Sequence, residues 1–308
     1  MIRKTSLPPA LLEASGIEER VVRAYREAVR RYAGKPGITG ISISRKETGG
    51  RLAKSTQPVI AIHVRRKRRL RNTSRVTIPS AILDVPTDVI QGDYRRAAGV
   101  LAGAVTPLAP GASISCTRGT AGTFGAVVRQ SDGSRCLLTA AHVLRECGKC
   151  KKGAAIVHPG RTDAGAGAAS VARLTDVHFG LDSGIAALVS GVTAHNVALE
   201  SGVRITTPVV PQMNDILEKV GRTTGVTRAR VQGIGTFEGV FPAIQLRPLQ
   251  GGIGTIISEP GDSGAVWYHA DSGAAVGLHV AGGVSEGNTY AIAAVATEVM
   301  GGLDLTWT

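Results

Sequence analysis

Three segments of this 308-residue chain bring together residue types that can do nucleophilic chemistry. Leu137-Leu138-Thr139-Ala140-Ala141-His142 is an apolar run that ends in two alanines and a histidine. Leu181-Asp182-Ser183-Gly184-Ile185 sets an aspartate at the head of a second apolar run. Pro260-Gly261-Asp262-Ser263-Gly264 sets a serine between glycines just before a third. Acyl transfer needs a nucleophile, a base that takes its proton, and an acid that holds the base in the right tautomer. Ser263, His142 and Asp182 can fill those roles. Glycine at 261 and 264 permits a tight turn in which the amides of Gly261 and Ser263 point at one developing oxyanion. Singly, each segment has a plain structural reading: a hairpin turn for Gly-Asp-Ser-Gly, a packed side chain for the histidine. The set, in the order His, Asp, Ser with spacings of 40 and 81 residues, points to catalysis. Asp163 and Asp176 are the fallback acids, and Asp182 is preferred because the run Ile185–Val189 follows it directly.

Thr-Ala-Ala-His-Val-Leu and Gly-Asp-Ser-Gly-Ala, with Asp182 between them, resemble the chymotrypsin/trypsin-like serine proteases over about residues 115–305. The likeness is to bacterial, cytoplasmic-looking members. It implies a mostly β fold of two six-stranded antiparallel β-barrels, with His142 and Asp182 on the first, Ser263 on the second, and the active site in the cleft. It also implies a serine endopeptidase that needs neither metal nor cofactor and takes a protein or peptide substrate. Gly264-Ala265 departs from the Gly-Gly more usual in the family. Val220-Gly221-Arg222-Thr223-Thr224-Gly225 resembles the Arg-Thr-Thr-Gly turn of bacterial members. On that likeness Arg222 is expected to supply the cation that a buried Asp262 requires; the other reading is a surface arginine in a turn. Val276–Gly283 resembles the Gly-Ile-His segments of glutamyl endopeptidases and picornavirus main proteases. Ile257, Ser258, His279 and Gly282 thereby become the candidate substrate pocket, with Glu or Gln at P1, while a core role for His279 stays open. With no aspartate at 257, a Lys or Arg preference is not expected.

What must position these residues follows from composition. The chain is 43% hydrophobic and holds 40 glycines but only 4% aromatics, which excludes global disorder and favours β structure with many turns. No apolar run reaches the roughly 18 residues of a membrane span. The opening segment lacks the apolar stretch of a leader, so a cytoplasmic protein with no membrane role is expected if residue 1 is the true start. The net charge of +13 is lopsided: residues 1–96 hold 21 basic and 8 acidic residues, residues 97–308 hold 15 of each. That break predicts a basic α/β N-terminal domain over 1–96, an Ala/Gly/Pro-rich linker over 97–114 and the protease-like domain over 115–308.

Within the first part a helix is expected over 17–33, capped by Ser15, with strands over 37–46, 58–66 and 85–90. A late helix is expected over 296–303. The run Arg65–Arg71 can grip phosphate backbones or an acidic protein partner, although no aromatic interleaves it for base stacking. The rival to an enzyme is accordingly a basic nucleic-acid- or partner-binding module carrying a dormant protease domain, and a second rival is an esterase using the same triad. Gln91-Gly92 would suit a Gln-directed protease as a point of self-cleavage, against the plainer reading of a strand end. Cys116, Cys136, Cys147 and Cys150 fall within 35 residues; free thiols are the default and a four-cysteine zinc site the alternative.

Overall fold

The computed structural model describes residues 17–35, 37–48, 51–53, 55–64, 77–91, 93–94, 101–145, 148–164, 167–249, 255–285 and 288–308. The N-terminal part contributes helix α1 (Glu19–Tyr32) and strands β1 (Ile38–Arg45), β2 (Glu47–Thr48), β3 (Arg51–Leu52), β4 (Pro58–Val64), β5 (Ala81–Ile82), β6 (Val85–Gln91) and β7 (Asp93–Tyr94). A first lobe follows: β8 (Ser113–Cys116), β9 (Gly122–Thr123), β10 (Ala126–Gln130), β11 (Arg135–Ala140), helix α2 (Ala141–Arg145), β12 (Ala155–His158), helix α3 (Arg161–Ala164), β13 (Ala169–His178) and β14 (Ser183–Leu188). The second lobe comprises β15 (Ile216–Gly221), β16 (Gly225–Phe237), β17 (Val240–Pro248), β18 (Val266–Tyr268), β19 (Ala275–Ser285) and β20 (Asn288–Val295). Helix α4 (Ala296–Gly302) then leads to β21 (Leu305–Trp307), which returns to pair with β10.

The second lobe is a closed antiparallel barrel in the order β15-β18-β19-β20-β17-β16, sealed by the β15–β16 pairing. Strand β20 explains why its sequence is apolar without alternation. Ala291, Ala293 and Val295 face the barrel interior, while Ile292 and Ala294 face the packing between the lobes. The first lobe is an antiparallel sheet in the order β21-β10-β11-β14-β13-β12-β8-β9. It curls until β9 and β10, consecutive along the chain, lie near its two ends. The seam is held by single backbone bonds, Phe124 N–H to Ala112 O (2.8 Å) and Gly125 N–H to Leu138 O (2.9 Å). The expected pair of six-stranded barrels is thus one closed barrel and one curled sheet.

The N-terminal elements fall where the sequence places them, but they do not form a unit apart. Strand β1 pairs antiparallel with β16 from Gly40↔Phe237 to Ser44↔Gly233, and β4 and β6 continue the same sheet. Helix α1 turns Val21, Tyr25 and Val29 onto Ile41, Ile43, Ile60 and Ile62, and this core is continuous with Trp267, Val276 and Ile244 of the barrel. Its charged residues lie on the exposed face, which is the amphipathic pattern that specified the helix. The expected boundary at 96 therefore cuts through a shared sheet and core. The expected linker is likewise structural: Leu108, Ala109 and Ala112 are buried, and Leu108 bridges to Ala194. Small residues there permit close packing rather than flexibility. Glu18 occupies the cap position of α1 without a side-chain cap, and Ser15 lies outside the described residues.

The run Arg65–Arg71, Gly92 and Cys147 also lie outside the described residues. Gln91 ends β6 opposite Val64. The expectation of free thiols is corrected for two cysteines. Cys116 on β8 and Cys150, in the loop after α2, are joined in a disulfide with their Cα atoms 6.6 Å apart, within bridging reach. Cys136 is a buried free thiol. No cluster of three or more metal-ligating side chains occurs among the described residues. No helix among them is long and apolar enough to cross a membrane.

Candidate active site

Strand β11 ends at Ala140, and α2 begins at once, so His142 stands at the strand's end in the first helical turn. The Ala141 N–H donates to Asp182 O (2.9 Å), tying the start of α2 to the head of β14. Asp182 closes the 3-10 turn Phe179–Leu181 in the left-handed region, with φ 44°, a conformation Asp adopts at less cost than most residues. Its carboxylate takes His142 at two points: Oδ1 accepts the main-chain N–H (3.0 Å) and Oδ2 accepts Nδ1–H (2.5 Å). With Nδ1 donating, Nε2 is the acceptor nitrogen. That Nε2 is buried and has no hydrogen-bond partner among the described residues. The fallback acids sit elsewhere: Asp176 accepts its neighbour Val177 N–H at the surface, and Asp163 pairs with Arg222.

The Ser263 turn is held against the first lobe. Thr123 N–H donates to Ser263 O (2.8 Å), Thr123 Oγ1 donates to Gly261 O (2.7 Å), and Thr139 Oγ1 donates to Thr123 O (2.7 Å). Gly264, at φ +96°, faces Thr139 so closely that a Cβ would collide with its Oγ1. A Cβ at Gly122 would meet both Val143 and the Ser263 carbonyl, which places the serine turn beside the helix that carries His142. Ser263 Oγ and His142 Nε2 are not hydrogen-bonded to each other, a looseness common where no substrate is bound.

The backbone of the turn is fixed peptide by peptide. Thr223 Oγ1 donates to Pro260 O (3.0 Å), so the planar peptide directs the Gly261 N–H the opposite way. Ala265 N–H donates to Asp262 O (2.9 Å), which does the same for the Ser263 N–H. Gly261, at φ +110°, makes the first of these orientations accessible. Neither amide has an acceptor among the described residues.

Asp262 is fully buried beneath this turn and meets five donors. Oδ1 accepts Thr223 N–H (2.9 Å) and Thr224 N–H (3.1 Å), and Oδ2 accepts Lys219 Nζ (2.9 Å), Thr224 Oγ1 (2.7 Å) and Glu259 N–H (3.1 Å). The cation is Lys219, not Arg222. Lys219 projects from β15, and Arg222 instead forms a buried ion pair with Asp163 of α3, which also receives Ser113 Oγ. The reason is reach. Arg222 sits at the apex between β15 and β16 and turns its side chain to the first lobe, while its neighbours' amides turn to Asp262. Burial pulls the Lys219 ammonium below its usual range. Burial also works to raise the Asp262 carboxyl, but Lys219 and Thr224 outweigh it and hold it below the usual carboxylate range. Lys219 was hidden from sequence reading inside an otherwise strand-like run, Ile216-Leu217-Glu218-Lys219-Val220. Its one signal was a cation sharing the strand phase of buried Leu217.

Of the candidate pocket residues, Ser258, His279 and Gly282 come together, since a Cβ at Gly282 would collide with Ser258 Oγ. Ile257 does not join them; its side chain packs into the barrel core. The two residues lie in the irregular segment before the Ser263 turn, outside any strand, where Ile257 turns into the core and Ser258 turns to His279. His279 is 1% exposed. Trp267 Nε1 donates to its Nδ1 (3.4 Å), so Nε2–H donates to Ser258 Oγ (2.7 Å) and the serine hydroxyl is left to donate onward. Burial pushes the His279 imidazole down to about 3, and burial does the same to His63, also to about 3.

Both imidazoles are therefore neutral when folded and take up protons on unfolding below pH ~6.5. Stability is fully present above that pH and is lost as pH falls from ~6.5 toward about 3, by ~2 kcal/mol per histidine at pH 5. Denaturant midpoints measured from pH 7 to pH 5 should fall accordingly, and His63→Gln should flatten the slope by about half.

No family model and no curated protein sequence matches the chain. Solved structures do. A glutamic-acid-specific serine protease described as using a histidine triad in substrate binding is 21% identical, with 65% of this chain covering 100% of that one at a TM-score of 0.50. The chain has the chymotrypsin-like serine protease fold. Nocardiopsis protease (15% identity, 65% and 99% coverage, TM-score 0.49) and Thermobifida fusca protease A (16%, 65% and 97%, 0.48) are also similar. Each match leaves 35% of the chain, by difference from 65%, outside the chymotrypsin-like part.

Proposed function

We propose that this protein is a serine endopeptidase in which Ser263, His142 and Asp182 act as a triad. The observation that carries the reading is the doubly anchored His142, whose Nε2 is kept buried and unpartnered beside the Ser263 turn. A buried acceptor without a donor costs about 1–3 kcal/mol, a cost that a catalytic role accounts for and a packing role does not. In the reaction His142 Nε2 takes the Ser263 hydroxyl proton as Oγ bonds to the substrate carbonyl carbon. The carbonyl oxygen, now negative, takes the free N–H groups of Gly261 and Ser263. The imidazolium, steadied by Asp182, returns the proton to the leaving amine as the C–N bond breaks. Water then repeats the sequence on the acyl-enzyme and frees Ser263.

For substrate choice, the Ser258 hydroxyl, oriented by a neutral His279, offers one hydrogen bond in a recess with Gly282. That donor suits the carbonyl or carboxylate oxygen of a Gln or Glu side chain at P1. The similar protease described as glutamic-acid-specific supports the same direction. The natural substrate is read as a protein partner of narrow sequence.

The test is labelling with a fluorophosphonate followed by intact mass. One adduct is expected on the native protein and none on Ser263→Ala. An adduct that survives Ser263→Ala, or none on the native protein, overturns the reading. Peptides varied only at P1 then report the preference.

A further inference from the structure

The edge of β19 that faces the Ser263 turn has three successive neighbours. Ala275–Leu278 pair with β18. At His279 the neighbour becomes the serine turn itself, with Gly264 N–H donating to His279 O (2.7 Å) and His279 N–H donating to Ala265 O (2.7 Å). Farther along, Gly283 and Val284 pair antiparallel with Tyr94 and Asp93 of β7. Gly282, between these neighbours, lies against Ser258, so this stretch of edge borders the candidate pocket.

An extended peptide brought to Ser263 past that pocket would pair by its backbone with this edge, as strands add to open sheet edges elsewhere. In the full chain the part of that edge just beyond Gly282, at Gly283 and Val284, carries β7. Because the pairing is antiparallel, β7 runs from Asp93 to Tyr94 toward lower β19 numbers, which is toward the Ser263 turn. The occupant is thus an extended segment of the same chain, directed at the nucleophile.

We propose that β7 blocks in cis the backbone edge on which a peptide substrate must lie, so that the N-terminal part holds the protein self-inhibited. The inference rests on the endopeptidase reading. A tethered segment competes at an effective concentration of about millimolar, well above that of a free peptide at micromolar levels. The block acts on substrates long enough to use the edge. It does not act on a single-residue ester, which needs only the turn and the pocket.

The experiment compares the full chain with its double variant Asp93→Pro, Tyr94→Pro, which removes the backbone donors of β7 while leaving α1, β1, β4 and β6 whole. Tetrapeptide anilides, a single-residue ester and fluorophosphonate labelling are the three readouts. Apparent KM for the tetrapeptides is expected to fall about tenfold, and a fall of that size would mean that β7 holds the edge about nine-tenths of the time in the native chain. Ester turnover and labelling should stay within about twofold. A gentler pair, Asp93→Gly and Tyr94→Gly, should shift KM in the same direction and covers the case in which the proline variant fails to fold. Equal tetrapeptide KM in all chains, with Ser263 labelled in each, overturns the self-inhibition alone. No labelling and no hydrolysis in any chain overturns the endopeptidase reading and this inference with it.

Discussion

Asp182→Asn is expected to lower kcat by about 10⁴-fold while leaving the fold intact. The structure supplies the reason. Oδ1 already accepts the His142 main-chain N–H, a donor that cannot be turned away. An asparagine must keep its carbonyl oxygen there, which sets its NH2 group against His142 Nδ1. That nitrogen then becomes the acceptor, the proton moves to Nε2, and the imidazole can no longer take the Ser263 proton. The loss should appear in kcat and in the fluorophosphonate labelling rate alike, with little change in thermal midpoint. It should lessen as pH rises and hydroxide begins to replace the base. A kcat within about tenfold of the native value would remove Asp182 from the triad.

Lys219→Met is expected to act on the same chemistry from below. Asp262 and Lys219 are both fully buried, and taking away one member of a buried pair leaves an uncompensated charge at a cost of about 3–5 kcal/mol. The carboxylate must then shift, take up a proton or admit water, and any of these loosens the Thr223 and Thr224 amides that grip it. Thr223 also holds the Pro260 carbonyl, so the loosening passes directly to the Gly261 N–H. A misdirected oxyanion donor costs about 10²–10³ in kcat. Lys219 is thus a positioning residue. Its signature is a labelling rate that falls with kcat while KM for a small ester barely moves, together with a lower unfolding midpoint. A large drop in midpoint with an unchanged labelling rate at a temperature where the variant is folded would reduce Lys219 to a structural role.

The parts of the site that local sequence revealed are those whose chemistry sits in one short segment. His142 at the end of an apolar strand, Asp182 at the head of another and Ser263 between glycines each announce a strand end or turn. The N-terminal helix and strands were legible for a similar reason, since their periodicity is local. What stayed hidden depends on partners far away in sequence. Nothing near Asp262 says that its cation comes from 43 residues earlier on a barrel strand. Nothing in Ala/Gly/Pro composition distinguishes a flexible tether from a segment that small residues allow to pack tightly, as at Leu108–Ala112. The charge break at 96 was real as composition and misleading as a boundary, because solvent-facing charge records the surface and not which strands share a core. Ile257 lies in an irregular segment, where the side its chain takes is set by the barrel core and not by a local pattern.

The pairing of β1 with β16 has a consequence for how the molecule comes into being. Ser44 waits for Gly233, 189 residues later by subtraction, before its strand has a neighbour on that side. At synthesis rates of about 5–20 residues per second, that wait lasts roughly 10–40 s. During it the apolar faces of α1, β1 and β4 have no barrel to close upon, and a nascent chain so exposed depends on being shielded. The barrel, for its part, emerges with that strand already made and waiting. Strand β7, which pairs with β19, is therefore already synthesised and tethered beside the barrel when the barrel first folds.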